Sequence, residues 1–154
     1  MIDVSGAGQT PTAGDFMFKV GNDSNPTGWA AAPAPTSVTV RAGAGTGGSD
    51  RVTIIWADGA IQKQWLQVTF IPALDVCYFG NAIGETGNSP SDAEVTPTDE
   101  VNVRNNPATL AASSASVESA YDFNRDKKVG PTDAIICRNN GTSSATALQL
   151  ISVP

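Results

Sequence analysis

The chain contains no histidine. Ser-His-Asp and Cys-His catalytic arrangements and imidazole metal sites are therefore excluded. Aromatic residues are scarce, at 6 % of 154, and charged residues make up only 16 %. No apolar run reaches the roughly 20 residues that span a bilayer as a helix. There is no phosphate-binding loop and no dinucleotide fingerprint. The Gly-rich run at 43–48 has neither a Lys nor a helical pattern after it. Paired carboxylates hydrolyse glycosides, but no dedicated pair stands apart from the acidic clusters discussed below. The expectation is a protein that is not an enzyme.

Gly and Pro together supply 25 residues, and 40 % of the chain is hydrophobic. That balance excludes an extended disordered chain and fits a β-rich fold with many turns. The net charge of −6 disfavours nucleic acid and anionic membranes as partners. The acidity is uneven. Residues 1–76 carry 6 acidic and 4 basic groups (−2), whereas residues 77–154 carry 9 and 5 (−4). The N-terminal MIDVSGAGQTPTAGDF has no charged-then-apolar leader pattern. The expectation is a processed chain or a piece of a longer secreted protein. The tripeptides starting at Asn22 and Asn140 are possible glycosylation acceptors.

The first half reads as strands. Segments 16–20, 37–41 (SVTVR), 51–56 (RVTIIW) and 65–71 (WLQVTFI) are β-branched, aromatic or alternating, and Asp58-Gly59 marks a turn. Prolines at 26, 33 and 35 prevent helices between them. The expected fold class is mainly β with a small α component. Residues 1–74 form an antiparallel β-sandwich-like domain, and a pair of calcium loop–helix repeats occupies 75–154. The few strands expected leave the sandwich to be completed by a strand at 145–153, by the rest of the second domain or by another molecule. Trp56 and Trp65 are expected in the sheet core. Trp29, beside Pro and Ala, is the candidate exposed ring for sugar stacking.

Residues 122–133, DFNRDKKVGPTD, carry the chemistry. Oxygen-bearing side chains fall at loop positions 1 (Asp122), 3 (Asn124), 5 (Asp126) and 12 (Asp133), with the carbonyl of Lys128 at position 7. This is the pattern by which a short loop wraps a calcium ion in carboxylate, amide and carbonyl oxygens. Val129, at position 8, is the apolar residue expected to tie the loop to its neighbour. Two positions depart from the usual loop. Lys127 stands where Gly normally takes the sharp turn, and a left-handed Lys costs about 1–2 kcal/mol. Asp133 is shorter than the usual bidentate Glu.

The segment is duplicated. Residues 93–106 (AEVTPTDEVNVRNN) match 127–140 (KKVGPTDAIICRNN) at an offset of 34, with 7 of 14 positions identical. Each copy predicts a helix, capped by Thr96 or Gly130, with Pro97 or Pro131 at the first position and Asp99 or Asp133 three residues after the cap. Shifting the loop back by 34 places Asn88, Asp92, Glu94 and Asp99 at positions 1, 5, 7 and 12. Pro90 falls at position 3, and Glu85, Ser89, Ser91 or a backbone carbonyl is available to make up the deficit.

Residues 75–152 resemble the duplicated calcium loop–helix module of dockerin type I domains. The run YFGNAIGETGNS and the RNN-ending helices are similar to dockerin-like tails of secreted and surface proteins from environmental bacteria. There a β-rich segment like SDRVTIIWADGAIQKQWLQVTF comes directly before. The resemblance implies two bound calcium ions, an extracellular or cell-surface location and a role in assembly. It also implies a cohesin-like partner met through exposed residues early in each helix, where Thr98 and Thr132 stand. Three readings follow: a calcium-stiffened structural subunit that self-associates into a fibre or surface array by strand addition, a docking module, and a glycan-binding module using Trp29. Cys77 and Cys137 are a candidate disulfide. An intramolecular bridge would close a loop of about 60 residues, worth roughly 4 kcal/mol in the chain-entropy model. An intermolecular bridge and free thiols are the alternatives.

Overall fold

A computed structural model of the chain describes residues 1–6, 8–109, 114–116 and 118–152. Among the described residues the fold is mainly β, with seven strands in two antiparallel sheets and two α-helices. The chain divides into two compact units. The first comprises Met1–Gly21, Asn25–Ile61 and Trp65–Phe79. The second comprises Asn22–Ser24, Gln62–Gln64 and Gly80–Pro154.

The first unit has a sandwich-like arrangement. Strands β1 (Ile2–Val4), β5 (Asp50–Ile55) and β4 (Ser37–Arg41) form one sheet in the order β1-β5-β4. Strands β3 (Ala30–Ala31), β2 (Phe16–Gly21), β6 (Trp65–Phe70) and β7 (Asp75–Gly80) form the other in the order β3-β2-β6-β7. Register places apolar residues opposite one another. Val52 lies between Ile2 and Val40, and the pairs Phe16–Phe70, Phe18–Val68 and Val20–Leu66 run along β2 and β6. A slip of one residue would turn these side chains to the opposite face, so burial of one face fixes the register. Val4 and Val52 from one sheet pack with Phe16, Leu66, Val68 and Phe70 from the other. Val52 is fully buried, a contribution of about 1.5–3 kcal/mol. Phe18 meets Trp56 edge-on at 5.1 Å, and the Trp56 indole N–H donates to the carbonyl of Pro33 at 2.8 Å.

The four strands expected at 16–20, 37–41, 51–56 and 65–71 are present as β2, β4, β5 and β6. The structure adds β1, β3 and β7. The expected strand at 145–153 does not form among its described residues. That segment makes a turn at Ser143–Ala147 and a single bridge from Leu148 to Ala93, and residue 153 lies outside the described part. Trp29 is corrected as well. The residue is 6 % exposed, its ring seated against Gly21, where an added Cβ would come within 2.2 Å of the indole. Tyr78 meets it edge-on at 5.8 Å. The absent side chain at Gly21 lets a large apolar ring bury itself, so no sugar-stacking platform is presented by Trp29.

In the second unit α1 (Pro97–Asn105) and α2 (Pro131–Asn139) begin at the expected caps, Thr96 and Gly130. Val103, Val129, Ala134 and Cys137 form its core, with Tyr121 and Phe123 packed against them. Each copy of the repeat clasps the other. Ala108, after α1, exchanges backbone hydrogen bonds with Val129 (2.9 and 3.2 Å). Thr142, after α2, donates its N–H to the carbonyl of Val95 at 3.0 Å and accepts the N–H of Val95 on Oγ1 at 2.8 Å. Residues 108 and 142, like 95 and 129, are 34 apart, so the clasp follows the sequence repeat. Position 8 of each loop is thus tied to the segment after the opposite helix.

Candidate metal centre

The second loop is held by its own carboxylates. Asp122 accepts the N–H groups of Asp126 (3.2 Å) and Lys127 (2.9 Å). Asn124 Oδ1 accepts the N–H of Asp126, and Asp126 accepts that of Lys128. Asp133 bridges the two ends of the loop, accepting Phe123 N–H at 2.9 Å on one oxygen and Gly130 N–H at 3.0 Å on the other. Lys127 takes the left-handed conformation (φ 68°) in which Gly is usual, and Arg125 does the same at φ 57°. A loop that wound less tightly would pull these N–H groups away from Asp122.

The first loop has the same clamp. Asp99 accepts Thr86 N–H at 3.0 Å on one oxygen and Thr96 N–H at 2.7 Å on the other. The first contact comes from Thr86, whereas a shift of 34 would assign it to Ser89. The span closed onto Asp99 is 13 residues, against 10 in the second loop. Glu85 precedes Thr86 and accepts the N–H groups of Gly87 and Asn88. Glu85 therefore occupies the place in chain order that Asp122 has in the second loop, directly before the residue whose N–H meets the clamping Asp, and Asn88 lies within an insertion, exposed. Asp92 accepts the hydroxyls of Ser89 (2.8 Å) and Ser91 and the N–H of Glu94 (3.1 Å). These bonds, Ser89 foremost, hold its carboxyl below the usual carboxylate range. Neither the insertion nor Glu85's position is visible at a fixed 34-residue offset. The signal that points to it is the Gly-Glu-Thr-Gly run at 84–87.

Burial sets three carboxylates apart. Asp99 is 0 %, Asp122 2 % and Asp133 2 % exposed. The ion pairs recorded among the described residues join Asp3 to Arg51 and Glu100 to Arg104 and Arg138, and none of them includes these three. Backbone N–H groups solvate the carboxylates but carry no net charge. A buried charge without a counter-charge is costly. Cys137 reports the same field. Its thiol is buried, donates to the carbonyl of Gly84 at 3.1 Å, and is pushed up to about 12 by burial and then by the negative charges of Asp99, Asp133 and Glu100.

Among the described residues no group of three or more His, Cys, Asp or Glu side chains is gathered as a metal-holding cluster. The candidate donors are more varied than such a cluster. Asp122, Asn124, Asp126, Asp133 and the Lys128 carbonyl offer only hard oxygens, the donor class that suits calcium. Glu85, Asp92, Asp99 and the Glu94 carbonyl offer the same in the first loop.

The remaining expectations resolve individually. Cys77 is exposed and Cys137 buried, and both are free thiols. Cys137 is committed to the helix core and to Gly84. The side-chain amide of Asn22 donates to Ala147 O at 3.0 Å, and that of Asn140 to Ile136 O at 2.9 Å. Both acceptor nitrogens of the glycosylation tripeptides are thus engaged internally. Thr98 and Thr132 are exposed early in their helices. No described helix is long and apolar enough to cross a membrane. Comparison of the chain with protein-family models, curated proteins and solved structures returns no match.

Proposed function

We propose that this is a non-catalytic, calcium-stabilised extracellular module that joins copies of itself into a larger structure. The observation that carries the calcium reading is the burial of Asp99, Asp122 and Asp133, which take part in none of the ion pairs recorded among the described residues. In this reading Asp122, Asn124, Asp126, Asp133 and the carbonyl of Lys128 hold one ion. Asp92, Asp99, Glu85 and the carbonyl of Glu94 hold the other. The ions would place positive charge directly against these buried carboxylates. The dockerin-like duplication is supported by the reciprocal clasp of residues 95 with 142 and 129 with 108.

Ligands are spread over segments that are mutually unrestrained in the unfolded chain, so binding energy becomes folding energy. Melting in excess calcium against melting in a chelator tests this. The expected result is a higher midpoint in calcium, rising with its concentration. Equal midpoints would contradict it.

A docking role, with a cohesin-like receptor as partner, is the second reading. It is favoured by exposed apolar residues at equivalent helix positions, Val101 (51 % exposed) and Ile135 (50 %). A stoichiometric complex with a different protein and no self-association would select it.

A further inference from the structure

We propose that β7 is the self-association surface and pairs antiparallel with β7 of a second copy, centred on Cys77. The inference rests on the self-association reading above and identifies the surface that reading requires.

Four strands are outermost in their sheets: β1, β4, β3 and β7. Sheet edges expose unpaired backbone groups, and proteins blunt them by shortness, charged side chains (Lys above all), Pro or bulges. β1 has three residues and β3 two, and β4 ends in Arg41. β7 has six residues, DVCYFG, with no Lys, Arg or Pro. It is the longest of the four edges, and its one charge, Asp75, stands at its first position. Val76 is 42 % and Phe79 41 % exposed, and Cys77 is exposed. Asp75, Val76 and Cys77 also border a cleft of about 280 Å³ whose floor is formed by the core residues Val4, Val68 and Phe70.

The strand is complementary to its own copy. A two-fold antiparallel pair must set one residue opposite itself. With Cys77 at the centre, Val76 faces Tyr78 of the second copy, a β-branched–aromatic pair of the kind that stabilises sheets. The only charge, Asp75, then faces Phe79, and the two Asp75 carboxylates lie at opposite ends of the pair, so no like charges are opposed. Directly opposite residues in such a pair have Cα atoms about 4.5–5.5 Å apart, within the range a disulfide spans. Cys77 therefore reports the register.

The test uses the full chain in calcium. Light scattering across a concentration series measures association, and oxidised glutathione serves as the cross-linking oxidant. Two Cys77 thiols lose two electrons and two protons to one oxidised glutathione, giving one disulfide and two glutathione molecules. The expected result is reversible association with a Cys77–Cys77 linked dimer, and Cys137 unreacted. Val76→Lys, which guards the edge, should raise the dissociation constant at least about tenfold. Association without any Cys77-linked dimer, or association unchanged in a folded Val76→Lys, overturns the β7 assignment while leaving self-association standing. A chain that stays monomeric at every concentration overturns both. The cross-linking arm uses the unaltered protein, so it decides the matter even where the variant does not fold.

Discussion

Replacing Asp133 by Ala separates a helix cap from a metal ligand. Without metal, the substitution removes the acceptors of two backbone N–H groups, those of Phe123 and Gly130. Hydrogen bonds to charged groups contribute about 1.5–3 kcal/mol each. Water reaching the new cavity recovers part of that, leaving a loss of about 2–4 kcal/mol. For a small domain this lowers the melting midpoint by on the order of 10–20 °C. With calcium at about 100 times its dissociation constant, one occupied site adds about 2.7 kcal/mol to the parent, and the variant loses that increment too. The assay is differential scanning calorimetry on parent and variant, each in calcium and in chelator. The loss should be larger in calcium by about 2–3 kcal/mol, with the remaining calcium response supplied by the first loop. An identical loss under both conditions would show that Asp133 works only as a cap and would refute the argument.

Gly21→Ala should destabilise the first unit by about 1–3 kcal/mol, because the new Cβ would lie 2.2 Å from the Trp29 ring. Urea unfolding followed by tryptophan fluorescence reads this, and an unchanged midpoint contradicts the packing described. Asn22→Ala should cost about 1–2 kcal/mol, since its side chain donates to Ala147 O and accepts the N–H of Gln149 at 2.8 Å. Hydrogen exchange at Gln149 should rise more than exchange in α2. Acid should weaken the fold. The Arg51 guanidinium holds Asp3 far below the usual range, Thr12 lowers Asp15, and Arg138 lowers Glu100. A carboxyl depressed in the folded state stabilises above its unfolded value of about 4, and this stabilisation is lost as pH falls below that value toward the folded one. Urea midpoints should therefore drop between about pH 5 and pH 2, less steeply in Asp3→Asn. Equal slopes would remove Asp3 from the explanation.

Much of this was legible in the sequence because local chemistry dominates there. The Pro-Thr-Asp repeat marks two helix starts, and alternation in SVTVR and WLQVTF marks strands whose apolar residues share one face. Other features depend on residues distant in the chain. Trp29 sits beside Pro and Ala and looks exposed, yet its burial depends on the missing side chain of Gly21 eight residues earlier. β7 directly follows the turn at Ile71–Leu74, and its β-prone DVCYFG lies where the resemblance to a calcium module begins. The first loop's true start at Glu85 and Thr86 is hidden by an insertion that a fixed offset does not accommodate. Short strands such as β1 and β3 form because a neighbouring strand supplies their partners, which two or three residues do not announce.

Calorimetric titration of the chelator-stripped protein with calcium tests the central claim most directly. Two ions should bind per chain. Asp122→Ala should abolish one of these sites and Asp99→Ala the other, each leaving the second site measurable. An absence of saturable binding at calcium on the order of millimolar, the weak end for extracellular loops, would contradict the account.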